Sequence, residues 1–124
     1  MSFTTRLLIT LGFMGALFFA SAVPGRAQAG DSAFVWLIAA TPPPLQKALH
    51  ICVYAVLTML WAWTLDNLQS KTLRLILPIA FAISFGALME WYQTKVPGRY
   101  GTLIDVALNT AGAIMGLLLA LLIF

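Results

Sequence analysis

Eight polar residues in an otherwise apolar chain have the types and spacings that chemistry needs. Lys47, His50 and Tyr54 follow at i, i+3 and i+7, the spacing of one helix face. Glu90 and Gln93 stand at i, i+3, Arg99 follows in "VPGR", and Asp105 and Asn109 stand at i, i+4. Lys47 and Arg99 are suited to holding an anionic group such as a phosphate, pyrophosphate or carboxylate, because a guanidinium grips such oxygens in pairs. His50 and Glu90 are the candidate catalytic acid–base pair. Tyr54, Gln93 and Asn109 would orient the ligand, and Asp105 belongs to the same ligand-binding set. The bland alternative uses the same residues as a clasp. Arg99 would bridge Glu90 and Asp105, Asn109 and Gln93 would fill the remaining bonds, and the group would only fix helices.

The elements that must carry these residues are unusual. The chain has 124 residues, 61% of them hydrophobic and 9% charged. Soluble domains carry about 25% charged residues, and one small domain could not bury this much apolar surface. Lipid must serve as part of its solvent. Four apolar runs, at about residues 7–23, 48–65, 75–92 and 102–124, each approach the ~20 residues a helix needs to cross the hydrocarbon core. Backbone in lipid must satisfy its own hydrogen bonds, so the runs are helices. The expected fold is all-α: one domain over residues 1–124, a polytopic bundle of four transmembrane helices. Pro78 in the third run marks a kink or a late helix start. "TPPPLQK" is expected to enter the second helix as a stiff extended segment. "FVWLIAA" (34–40) is too short to span and is expected to lie in the interface or dip partly into the membrane. Arg6, the first run and "SAVPGRAQA" also resemble a secretory signal peptide, though the run is long for one.

Four spans put the start of the second helix, the end of the third and the start of the fourth at one membrane face. All eight polar residues therefore meet there. Gly112 and Gly116 continue the stripe of Asp105 and Asn109 as a small-xxx-small pair, a helix-packing surface that admits a neighbour closely. Arg6, Lys71 and Arg74 mark the opposite face. Counted raw, the positive charges slightly favour the reverse topology; with Lys47 and Arg99 set aside as members of the cluster, they favour a cytoplasmic N-terminus, with the cluster outside.

"LQKALHICVYAVL" followed by "MEWYQTKVPGRYGTLIDVALNTAGAIMG" resembles the VanZ-like family of small bacterial membrane proteins. The shared pattern is Lys47-x-x-His50-x-x-x-Tyr54, Glu90-x-x-Gln93, Pro97 to Arg99, and Asp105-x-x-x-Asn109-x-x-Gly112-x-x-x-Gly116. The resemblance covers nearly the whole chain. It departs at Gln46, where an acidic residue often precedes the family's Lys, so Lys47 lacks that partner. The resemblance implies a four-helix protein of the bacterial cytoplasmic membrane, linked to the cell envelope. One named member is associated with resistance to the glycopeptide teicoplanin. No reaction attaches to the family.

Two functions follow as expectations. One is an envelope protein that binds, or in a catalytic version modifies, an anionic lipid-linked or cell-wall-related ligand. The other is a small accessory subunit of a larger membrane complex, its polar cluster a clasp. A transporter or channel is weaker, because the polar groups gather at one face instead of lining a route. The partners are membrane lipids and either the ligand or other membrane subunits. A net charge of +3 without a basic run excludes a nucleic-acid surface. A single His and a single Cys make no zinc site, and no cofactor or metal is expected. Cys52 reads as a small buried hydrophobe. Trp61, Trp63 and Trp91 read as an aromatic belt near helix ends.

Overall fold

The structure is a computed structural model, described over residues 1–22, 30, 32–40, 42–95 and 103–124. Those residues form five helices and no strand: α1 (Phe3–Ala22), α2 (Ala33–Ala40), α3 (Pro43–Thr64), α4 (Lys71–Gln93) and α5 (Leu103–Ile123). α1, α3, α4 and α5 are long and apolar enough to cross a membrane. At ~1.5 Å per residue, the 20 to 23 residues of these helices match a ~30 Å hydrocarbon core. α2, with eight residues, is too short to span, and its Trp36 and Leu37 are exposed.

The helix starts differ from those expected. α3 begins at Pro43, so "TPPPLQK" is only partly extended: Pro42 is the N-cap and prolines occupy the first turn. Proline suits that position because its fixed φ is already helical and its missing N–H had no partner to lose. α4 begins at Lys71, capped by the Ser70 hydroxyl, which accepts from the Leu73 N–H at 3.3 Å. Pro78 therefore lies inside α4 and does not mark a late start.

α3 is the hub. α5 packs along it most extensively, α4 packs on both, and α1 lies outside against α3 and α4. Tyr54, Leu57, Trp61, Leu65, Ala82 and Ala113 form the buried centre. Trp61, expected in an aromatic belt, is 8% exposed and its ring lies 4.7 Å from that of Phe81. Cys52, expected to be buried, is exposed. On α3 it lies two residues, about 200° of helix, from Tyr54, which turns it away from the bundle.

α5 meets α3 backbone to backbone. A Cβ at Gly112 would overlap the Ile51 carbonyl oxygen, and one at Gly116 would overlap that of Ala55. α1 is fastened by polar contacts. The Thr10 and Thr64 hydroxyls lie 2.8 Å apart, both buried. Arg6 donates to Asp66 at 2.7 Å and to the Trp63 carbonyl at 2.9 Å.

Candidate functional site

The chain order α3 start, α4 end, α5 start brings three helix ends to one face of the bundle. The Pro43 start of α3 sets His50 two turns into that helix. Glu90 and Gln93 close α4, and both are buried. Asp105 and Asn109 occupy the first two turns of α5.

His50, Glu90 and Asp105 each point a ligating atom into one space, within 4.8 Å of one another. Asn109, 1% exposed, lies at the bottom. His50 Nδ1 and Asn109 Oδ1 are 2.7 Å apart. An amide oxygen only accepts, so Nδ1 is the donor in this bond. Glu90 Oε1 is 3.7 Å from the same Nδ1, close enough for charge attraction and too far for a hydrogen bond. The Glu90 side chain is 5% exposed and that of His50 23%, so the imidazole is the edge of the site nearest the outside. The Asn109 Nδ2 group is buried and has no hydrogen-bond partner among the described residues. A buried donor left in that state costs about 1–3 kcal/mol.

Gly86, one turn before Glu90, lets the third helix close in. A Cβ there would stand 3.0 Å from Asn109 Nδ2 and 3.0 Å from Tyr54 Cε1. Tyr54 is buried beside the cluster, one turn below His50. Gly86 was not among the residues singled out from sequence. An isolated glycine in an apolar helix carries little signal until its neighbours are known.

Of the eight polar residues, the structure thus brings together His50, Tyr54, Glu90, Asp105 and Asn109, with buried Gln93 one turn beyond Glu90. Lys47 is exposed, one turn nearer the α3 start than His50. Arg99 lies outside the described residues, so both the anion grip and the Arg99 clasp rest on a residue whose position is not described.

The donor set can do two things chemically. A histidine with two carboxylates suits a divalent cation of the harder, borderline kind, a possibility the sequence reading did not assign. The same imidazole and carboxyl can also exchange a proton with a bound ligand.

The opposite face holds what sequence reasoning missed. Arg6 appeared there only as a topological charge, and Asp66 was not singled out. The two pair across 60 residues of chain. The parity of the spans, which gathered the first cluster, would have gathered this pair too, since the start of α1 and the end of α3 share a face.

The protein-family model described as VanZ/LLP1 matches residues 7–124. No curated protein and no solved structure matches the chain. The matched span takes in the four apolar helices, except the first turn of α1, and every residue of the polar cluster, so this multi-pass membrane protein belongs to the VanZ/LLP1 family.

Proposed function

We propose that the protein binds an anionic, lipid-linked ligand of the bacterial cell envelope at the face where His50, Glu90, Asp105 and Asn109 converge. The observation that carries this reading is the buried Asn109 amide. Its oxygen is held by His50 while its Nδ2 donor has no partner among the described residues. A ligand oxygen would complete it. Lys47, exposed one turn from His50 on α3, supplies positive charge for a phosphate or pyrophosphate, to which the sequence reading adds Arg99. His50 and Glu90 supply proton transfer if the ligand is modified as well as bound. The family resemblance extends the reading to glycopeptide tolerance, teicoplanin in particular. The charge distribution extends it to the bacterial inner membrane with the N-terminus cytoplasmic.

The test uses Glu90→Gln, His50→Gln and Asn109→Leu in the full chain, measured for membrane accumulation and for binding of a labelled polyprenyl pyrophosphate in nanodiscs. The expected result is wild-type accumulation of at least Glu90→Gln with binding lowered about tenfold or more, the worth of one charged contact. If every variant that loses binding also fails to accumulate, the cluster is a packing clasp.

The His50–Asn109 bond itself, closed at 2.7 Å within the protein, favours that second reading, in which the chain is a small subunit of a larger membrane complex. Mild-detergent purification separates the two. A large partner at fixed stoichiometry supports the subunit, and a lone monomer or dimer supports the binding site.

A further inference from the structure

At the face opposite the polar cluster, a cleft of about 490 Å³ opens between the end of α3, the start of α4 and the end of α5. Its volume lies within the roughly 300–1,000 Å³ of small-molecule sites. Asp66, Lys71 and Arg74 contribute its polar wall, and Leu75, Leu121 and Phe124 are among its apolar lining. We propose that this cleft binds an anionic glycerophospholipid of the surrounding leaflet, its phosphodiester held by Lys71 and Arg74 and its acyl chains lying along Leu75, Leu121 and Phe124.

Charge comes first. Asp66 is the one acidic side chain in the lining, and its carboxylate is already taken by Arg6 at 2.7 Å. Lys71 and Arg74 form no ion pair or side-chain hydrogen bond among the described residues. The cleft thus presents two uncompensated cations. Arg74 Nε is in addition buried without a hydrogen-bond partner. A guanidinium N–H withdrawn from water needs an acceptor, and a phosphate oxygen is the acceptor its planar fork fits.

Position selects a lipid over a soluble anion. The cleft lies where three spanning helices end or begin, at the depth of a headgroup. Its apolar wall opens outward: Leu121 is 56% exposed and Phe124 53%. A lone phosphate would leave most of that wall bare, whereas a glycerophospholipid covers it and carries the anion on the same molecule.

The experiment purifies the full chain from a membrane containing phosphatidylglycerol and phosphatidylcholine, then measures lipid retained per chain by extraction. Phosphatidylglycerol is expected to be enriched over phosphatidylcholine. In K71Q/R74Q that enrichment falls about thirtyfold, given about 1 kcal/mol for each of the two cations near the surface. Lys95→Gln, at the other face, leaves it unchanged. Leu121→Trp, an exposed position that fills the cleft, lowers retention with both cations intact and decides the matter if K71Q/R74Q does not fold. Glycerol 3-phosphate in excess does not displace the lipid. Equal retention of the two lipids, undiminished enrichment in Leu121→Trp or in folded K71Q/R74Q, or displacement by glycerol 3-phosphate would overturn the proposal. None of these outcomes bears on the site at His50.

Discussion

Gly112→Ala adds one methyl group where α5 crosses α3, and its effect can be worked from the backbone. The new Cβ would overlap the Ile51 carbonyl oxygen and stand 3.0 Å from the Ile51 carbonyl carbon and Cα. Carbon atoms rest at about 3.5–4.0 Å. The obstacle is main chain, so no rotamer relieves it, and the helices must part by roughly half an ångström to one ångström. A gap of that size forfeits a quarter to a half of each dispersion contact along the seam. Overpacking of this kind costs about 1–3 kcal/mol, and the length of the seam places this case near the top of that range. The term survives in lipid because it needs no hydrophobic drive. Asn109 stands one turn before Gly112, so the same movement stretches the 2.7 Å His50–Asn109 bond to roughly 3.2–3.7 Å, at or past the limit of a hydrogen bond. The assay is unfolding in mixed micelles followed by helical circular dichroism, with Gly12→Ala as the internal control. Nothing lies within 4 Å of a Cβ at Gly12, so that variant is expected to match the wild type or gain up to about 1 kcal/mol from helix propensity. If Gly112→Ala loses less than about 0.5 kcal/mol, or Gly12→Ala loses as much as Gly112→Ala, the close packing of α5 on α3 is refuted.

Arg6→Gln and Asp66→Asn should each destabilise the protein. Their double-mutant cycle should show a coupling of about 0.5–1 kcal/mol, modest because the two side chains remain 22% and 35% exposed. Arg6→Gln should cost more than its partner, since Arg6 also serves the Trp63 carbonyl. Trp61→Ala should cost about 3 kcal/mol through the cavity left beside Phe81, whereas Trp91→Ala, at a side chain 59% exposed, should stay within about 0.5 kcal/mol. The mature protein should retain α1, because Thr10 and Arg6 tie it to α3. Mass spectrometry of protein from membranes should then find the tryptic peptide 7–26, and its absence would restore the signal-peptide reading.

The spans were legible because lipid leaves few choices: an apolar run of about 20 residues must be a helix. Their starts were less so. Pro43 and Pro44 read as breakers, yet the first turn of a helix has no use for the N–H that proline lacks. Lys71 and Arg74 read as loop, yet a spanning helix can run on past the hydrocarbon, where cations meet water and headgroups. The meeting of His50, Glu90, Asp105 and Asn109 could be read from the parity of four spans. Which face of α3 points inward could also have been read further. Lys47, His50 and Tyr54 continue at the same spacing to Leu57 and Trp61, so Trp61 belongs to the bundle and Cys52 does not. Nearness to a helix end suggested an aromatic belt for Trp61, and the helix face decided otherwise. Gly86 was illegible because its meaning lies in Asn109 and Tyr54, on two other helices.

The glycines and the polar cluster act as one device. In lipid, apolar side chains gain little by leaving the solvent for one another, so helices associate through close packing and shared hydrogen bonds. Gly112 and Gly116 bring α5 onto the backbone of α3, and only at that separation do His50 and Asn109 reach 2.7 Å. Gly86 brings α4 to the same spot, seating Asn109 against its backbone and Glu90 beside His50. Each contact presupposes the others. A site assembled this way is held by main-chain contacts, which have no rotamers to relax. Asn109 Nδ2 stands buried against Gly86 of α4 while its Oδ1 is held by His50 of α3.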